Sequence, residues 1–291
     1  MDKLEIRRII VYLLIAFGFS WAIGLIIYLI GGLADSPPIA PGSPVTWALP
    51  LMTLYMLGPA LGNIGARLVT REGRHDLWLR PHFKQGWKYW LVAWVLTPLM
   101  VLAGGILYFL LSPADLNLGA LRGEGLPGVP ETAVPGGLVI LANIGLAILI
   151  APLINAVPML GEEFGWRGYL QPKLLPLGER KMYLLVGVIW GVWHWPAIWM
   201  GHNYPGQPLL GSLAMIWFTF IVGTFLGWAS LRARSVWPAV IGHGALNGTA
   251  NIWLLFLAGE TNPLVGPLVV GLVGGIFFTI AALLIMWKAK N

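Results

Sequence analysis

Long apolar segments separated by short polar ones make up most of this chain of 291 residues. Each apolar segment is long enough, as a helix rising 1.5 Å per residue, to cross a hydrocarbon layer of roughly 30 Å. The segments lie at residues 9–33, 45–68, 87–111, 136–160, 182–200, 209–231, 236–258 and 264–287. This pattern predicts an all-α, polytopic integral membrane protein with about eight transmembrane helices.

Positive charge falls almost entirely on one side of this predicted layout. Seventeen of the eighteen Lys and Arg residues lie at the two termini or in the loops on the same side, and Arg122 is the exception. Cytoplasmic loops of membrane proteins are enriched in Lys and Arg, so both termini are predicted to lie in the cytoplasm. The membrane is predicted to be the plasma membrane. The basic loop of residues 71–88 is expected to contact the headgroups of anionic membrane lipids.

The composition supports the membrane assignment. The chain is 57% hydrophobic and 10% charged, whereas soluble domains have about 25% charged residues. The net charge of +6 is explained by the cytoplasmic loops, so no nucleic acid partner is expected. The absence of Cys excludes disulfide and thiol chemistry.

The chain contains no internal repeat and no soluble domain, so one continuous membrane domain is predicted. Within it, residues 1–135 form an N-terminal region of three helices with the basic loop, and residues 136–291 form a region of five helices. The outer loop of residues 115–135 is rich in Gly and Pro and is predicted to be irregular.

Two adjacent carboxylates, Glu162 and Glu163, stand with Arg167 at the end of the fourth apolar segment. Charge is costly near hydrocarbon, so these residues raise a functional hypothesis. In a helix Glu163 and Arg167 are one turn apart and can pair, whereas Glu162 points about 100° away from Glu163. The alternative is that the stretch is only an interfacial salt bridge.

His194, in the fifth segment, is surrounded by apolar residues and followed by Pro196. This proline removes a backbone donor and can kink the helix, which would free carbonyl groups near the histidine. The other interpretation is a buried histidine that makes one hydrogen bond between helices.

His243 and Asn247, in the seventh segment, lie one helical turn apart on one face. Three neighbouring glycines leave room for another helix or for a substrate; they are Gly242, Gly244 and Gly248. Asn247 alone is more typical of helix packing. The remaining three histidines are expected to be surface residues; they are His75, His82 and His202.

Together these side chains could hydrolyse a peptide bond. A carboxylate and an imidazole that share a water form a general base, and a second imidazole with an amide can stabilise an oxyanion. Alternatively, Glu162, His194 and His243 could hold Zn²⁺ with an activated water. The usual His-Glu-x-x-His zinc helix is absent, and the cofactor stays open between none and one divalent metal such as zinc.

The motifs Glu162-Glu163-x-x-x-Arg167, Trp190-x-x-x-His194 and His243-x-x-x-Asn247 resemble those of the CPBP family of intramembrane proteases. This family includes the CAAX prenyl endopeptidases of the Ras-converting type and the bacterial Abi proteins. The resemblance covers about residues 136–258. One departure is Trp190, where the family usually has Phe.

The resemblance implies that Glu162 activates water with help from His194, and that His243 and Asn247 stabilise the oxyanion. Glu163 and Arg167 would support the motif as a pair. The implied partner is a peptide or protein C-terminus, with or without a lipid, cleaved near the cytoplasmic membrane face.

Two other functions are compatible with the same residues. One is a non-catalytic membrane scaffold or bacteriocin-immunity protein of the same fold. The other is a transporter or proton relay, which also places Glu and His inside the membrane. The lack of repeated halves counts against the transporter.

Overall fold

The computed structural model of the protein describes residues 2–124 and 135–290. Within this part of the chain the secondary structure is helical, and pairing between extended residues is limited to isolated bridges. The α-helices, in chain order, are α1 Lys3–Leu29, α2 Ala48–Tyr55, α3 Gly58–Val69, α4 Phe83–Leu111, α5 Gly119–Arg122, α6 Gly136–Leu149, α7 Ala151–Ile154, α8 Ala156–Gly165, α9 Gln171–Leu174, α10 Glu179–Trp193, α11 Trp195–Trp199, α12 Pro208–Ala233, α13 Trp237–Thr249 and α14 Ile276–Lys288.

Three of these helices, α1, α4 and α12, are long and apolar enough to cross a membrane. The prediction of an all-α integral membrane protein is confirmed at this level. The number of eight spans and the cytoplasmic position of the termini stay predictions. Most of the predicted outer loop, residues 125–134, lies outside the described residues.

Several of the predicted spans are not single helices. The segment 45–68 is divided between α2 and α3, and the segment 136–160 between α6, α7 and α8. The segment 182–200 breaks at His194, which ends α10 and precedes α11. Three of these four breaks lie at or just before Pro59, Pro152 and Pro196, because proline takes a first helical position easily but cannot donate in a helix interior.

The prediction of a helix through residues 264–287 is wrong for residues 264–275, which form turns before α14 begins. In this segment, backbone hydrogen bonds between residues farther apart in the chain replace the helical ones. The Leu272 N–H, for example, donates to the Leu264 carbonyl at 2.9 Å. Gly104 on α4 lets this segment approach, since a Cβ on Gly104 would lie 1.9 Å from the Gly274 carbonyl oxygen. The hydropathy of residues 264–275 correctly predicted that many of them are buried, but it did not predict that their backbone is not helical.

The sequence suggested that the helix carrying Glu162 and Glu163 ends beside these two carboxylates. In the structure the helix continues beyond them. After α8 the chain continues through a π-helical turn, Trp166–Leu170, into α9. Glu162 therefore lies roughly 18 Å along the helix from Leu174. Arg167, which was assigned to a cytoplasmic loop, is instead fully buried in the π-helical turn.

The packing of α12 and α13 brings the three motif-bearing helices together. Helix α12 packs against α10, α4, α13 and α14, and α13 packs against α4, α7 and α8. The three glycines around His243 face neighbouring helices: a Cβ on Gly244, for example, would lie 2.7 Å from the Pro152 carbonyl oxygen. Of the two uses that the sequence left open for these glycines, close helix packing is the one observed.

The Gly187→Ala substitution on α10 is expected to destabilise the protein by about 1–3 kcal/mol, because the added methyl group overpacks the contact with α12. A Cβ at this position would lie 2.6 Å from the Phe220 Cα atom, a backbone atom that cannot rotate away. The measurement is the thermal unfolding midpoint in detergent. The matched control is Gly145→Ala on α6, where nothing lies within 4 Å. Equal midpoints for the two variants would contradict the proposed close packing.

Candidate functional site

Glu162, His194, His243 and Asn247 line a single cavity of about 380 Å³. They come from α8, from the break between α10 and α11, and from α13. The structure therefore brings together all four of the side chains that the sequence singled out as catalytic. The remaining wall is mostly apolar and includes Met52, Tyr55, Met56, Trp193, Met215, Phe218 and Leu246.

Glu162 is buried, with 3% of its surface exposed. Its Oε2 atom accepts a hydrogen bond from the Trp190 indole Nε1–H at 2.8 Å. This donor fixes the direction of the carboxylate and reduces the cost of holding it away from water. The π-helical turn that follows α8 lies directly next to this carboxylate in the chain, and such turns are frequent at functional sites.

Glu163 points to the other side of α8 and is fully buried. Its Oε2 atom lies 3.1 Å from Arg167 Nε, so the predicted neighbours form an ion pair. Its Oε1 atom lies 2.9 Å from His243 Nδ1, a contact that the sequence did not suggest. The Arg167 guanidinium also lies 4.6 Å from the centre of the Trp190 ring, so the buried cation has an aromatic face as well as a carboxylate.

The hydrogen-bond partners assign one proton on each histidine ring. A carboxylate accepts only, so the contact with Glu163 places hydrogen on His243 Nδ1. The Trp190 carbonyl lies 2.8 Å from His194 Nδ1 and likewise places hydrogen there. Both imidazoles are therefore held through Nδ1, and their Nε2 atoms are available to the cavity.

Trp190 contacts Glu162, Arg167 and both imidazoles of the site. Its ring centre lies 5.3 Å from that of His243 and 5.8 Å from that of His194, in addition to its bond to Glu162. Sequence reasoning treated this position as an aromatic ring in the place of Phe and missed its N–H donor. The signal was present, since Trp differs from Phe in having that donor.

The N-terminal region also contributes to the site, although no sequence motif marked it. Tyr55 on α2 lines the cavity, and its hydroxyl donates to the Trp193 carbonyl at the helix break.

Two asparagines also contact neighbouring helices near the site. Asn155, between α7 and α8, donates to the Gly244 carbonyl at 3.1 Å. Asn247 itself contacts the Met159 sulfur at 3.2 Å through Nδ2.

The donor set does not fit a metal site. Among residues 2–124 and 135–290, no group of three His, Asp or Glu side chains is close enough to hold a metal ion. The set expected for zinc was Glu162, His194 and His243, and these three side chains do not form such a group.

The fold and the cavity define an integral membrane protein with a buried site of carboxylates and imidazoles. Residues 141–249 match the family described as Type II CAAX prenyl endopeptidase Rce1-like. This range lies within residues 136–258, where the sequence placed the resemblance. The match confirms the resemblance to CPBP-family proteases, and its range includes every residue of the three motifs.

A curated relative supports the same family. The chain is 27% identical over 189 residues to the CAAX prenyl protease 2 of Methanococcus maripaludis. The alignment covers 62% of this chain and 65% of the relative, so the chain matches slightly less than two thirds of that protein.

The Arg167→Ala substitution is expected to reduce the yield of folded protein sharply. It leaves the Glu163 carboxylate buried with one partner fewer, and breaking a buried ion pair costs about 3–5 kcal/mol. The measurement is monodisperse yield and thermal midpoint after purification. Arg122→Ala is the control, because its ion pair with Glu124 is largely exposed. A stable Arg167→Ala protein in normal yield would contradict the structural role of the pair.

Proposed function

We propose that the protein is a membrane-embedded endopeptidase that hydrolyses a peptide bond without a covalent intermediate. The observation that carries this proposal is the convergence of Glu162, His194, His243 and Asn247 on one cavity. The name of the relative, a prenyl protease, supports peptide hydrolysis as the reaction class.

Water activation is assigned to Glu162 and His194. The Glu162 carboxylate removes a proton from water while the water oxygen forms a bond to the peptide carbonyl carbon. The His194 Nε2 atom accepts the second hydrogen of the same water and orients it, because Nδ1 is occupied by the Trp190 carbonyl. Holding the water between two fixed acceptors reduces the entropy cost of the attack.

The oxyanion that forms on the carbonyl oxygen is assigned to His243 and Asn247. Donation from His243 Nε2 requires a second proton, because Nδ1–H is already directed to Glu163. The Asn247 amide supplies the second N–H, one helical turn away on the same face of α13.

Breakdown of the intermediate completes the reaction. The proton held by Glu162 passes to the amide nitrogen as the carbon–nitrogen bond breaks, which gives an amine and a carboxylic acid. Transfer of the acid proton to the amine then leaves an ammonium group and a carboxylate. Glu162 is then ionised again. One water is consumed for each bond cleaved.

The proposed substrate is a peptide or protein C-terminus, with or without a lipid. The cavity is apolar over most of its wall and polar at the four catalytic side chains, which is the pattern of a site that binds a chain and fixes one bond. Its position among apolar helices supports cleavage of a bond that lies within the membrane.

The Glu162→Gln substitution is expected to lower cleavage of a library of lipidated and unlipidated peptides by at least about a thousandfold, because it removes the general base. Folded yield is expected to change little, since the amide can still accept from the Trp190 indole. Glu260→Gln, in an exposed loop, is the control. Turnover retained by Glu162→Gln would overturn the assigned role, and an unchanged cellular phenotype in that variant would favour the scaffold.

The Trp190→Phe substitution is expected to lower kcat by about 10–100-fold, the loss of one hydrogen bond to a charged group. The ring keeps its place between the imidazoles, but the buried Glu162 carboxylate loses its indole donor, so the thermal midpoint is expected to fall as well. Trp287→Phe on α14 is the control, because that ring is 74% exposed. Wild-type kcat in Trp190→Phe would show that the indole N–H does not position Glu162.

A further inference from the structure

The helix break that presents His194 to the cavity is held by α1 and α2, two helices outside the matched residues 141–249. We propose that Tyr55, with Trp21 beside it, is a positioning residue of the catalytic site: its hydroxyl fixes the Trp193 carbonyl and thereby the direction of the His194 imidazole. This inference rests on the proposed function for the part that His194 takes in the reaction. It gives a role in the chemistry to helices in which the sequence showed no motif.

The break interrupts the backbone hydrogen bonds at the end of α10. In an unbroken helix the Trp193 carbonyl would accept from the N–H of residue 197, but α10 ends at Trp193 and α11 begins at Trp195. The backbone N–H of His194 bonds to the Gly191 carbonyl at 3.1 Å, which is a tighter turn than that of an α-helix. Because a buried carbonyl needs a hydrogen-bond partner, donors from other helices are required at this end of α10.

Two side chains of the N-terminal region supply donors to the Trp193 carbonyl. The Tyr55 hydroxyl of α2 donates to it, and so does the Trp21 indole N–H of α1 at 3.2 Å. Tyr55 and Trp193 are each only 1% exposed, and their ring centres lie 4.6 Å apart. A carbonyl oxygen has two lone pairs, so these two donors use its full capacity.

Tyr55 is itself held in place by α1. The Ser20 hydroxyl donates to the Tyr55 carbonyl at 2.8 Å. Gly24, one turn further along α1, leaves room for both Tyr55 and the break: a Cβ on Gly24 would lie 3.3 Å from the Tyr55 ring and 3.1 Å from the Pro196 Cβ. Close packing of α1 therefore keeps the Tyr55 hydroxyl at one position relative to the break.

The position of Trp193 determines that of His194, because the two residues are adjacent at the break. Their rings meet edge-on, with centres 4.8 Å apart. The His194 Nδ1–H donates to the Trp190 carbonyl, which belongs to the same last turn of α10. If the Trp193 carbonyl lost its donor, this turn would rearrange to find another, and the His194 ring would move with it. Tyr55 therefore acts on the water-orienting imidazole through the backbone.

The Tyr55 hydroxyl is assigned to positioning and not to the reacting atoms. Tyr55 lines the cavity, but its O–H is directed at the Trp193 carbonyl. A hydroxyl has one proton to donate, so the same O–H does not also serve an oxyanion.

The first test compares steady-state cleavage of one peptide by Tyr55→Phe, which removes the hydroxyl and keeps the ring, and by the wild type. We expect kcat to fall about tenfold and KM to change by less than about twofold, because the loss affects orientation of the water and not binding of the peptide. Trp21→Phe removes the second donor, and a loss of about threefold in kcat is expected. The control is Tyr28→Phe on α1, whose side chain is 67% exposed and which should keep the wild-type kcat.

The second test asks whether the effect passes through His194. Added to His194→Ala, the Tyr55→Phe substitution is expected to lower the residual kcat by less than about twofold, since the group that it positions is gone. A further loss of about tenfold in that background would overturn the proposal. Wild-type kcat in Tyr55→Phe alone would also overturn it.

The third test needs no turnover and so separates this proposal from the proposed function. NMR of protein with isotope-labelled nitrogen in its histidine rings reports the tautomer of each ring, and the His194 signals are identified by their loss in His194→Gln. The wild type is expected to show a single tautomer with hydrogen on Nδ1, and Tyr55→Phe a mixture of the two neutral tautomers. Identical His194 signals in the two proteins would overturn the proposal.

The two proposals therefore fail separately. If the wild type cleaves no peptide while the His194 signals change as expected, the peptidase is wrong and the effect of Tyr55 on His194 stands. If the wild type cleaves peptides and the His194 signals do not change, the peptidase stands and the role of Tyr55 is wrong.

Discussion

The buried charge cluster of Glu163, Arg167 and His243 is the constraint on which the rest of the site depends. A charge inside a membrane protein is tolerated only with partners, because desolvation costs several kcal/mol per ion. Glu163 has two partners on two different segments, at 3.1 Å and 2.9 Å. Arg167 in addition stacks on Trp190 of α10. The cluster therefore joins α8, α10 and α13 at the depth where the cavity lies.

Irregular backbone also lies close to the carboxylates and imidazoles. The helix break at His194 lines the cavity, and the π-helical turn begins at Trp166, one helical turn after Glu162. The break at His194 uses polar groups that a regular helix would hide: the Trp190 carbonyl holds His194, and the Tyr55 hydroxyl donates to the Trp193 carbonyl. Such backbone inside a membrane requires internal partners, and these bonds supply them.

The site is also asymmetric along the bundle. Packed rings of Tyr12, Trp166 and Tyr169 fill one side of the carboxylates, whereas the cavity occupies the other. The same helical segment, from α8 through the π-helical turn, supplies both Glu162 and the packed rings of Trp166 and Tyr169. Glu162 therefore has the cavity on one side and packed side chains on the other.

The sequence by itself determined the helical membrane class, the family resemblance and the four side chains of the cavity. Hydropathy and charge act at every position independently of the fold, and the spacing of His243 and Asn247 is a property of one helix. Only the tertiary structure decided that Glu163 bonds to His243, that Trp190 donates to Glu162, and that residues 264–275 are turns. These outcomes depend on which helices meet and at what depth, and contacts between residues 80 positions apart leave no local pattern.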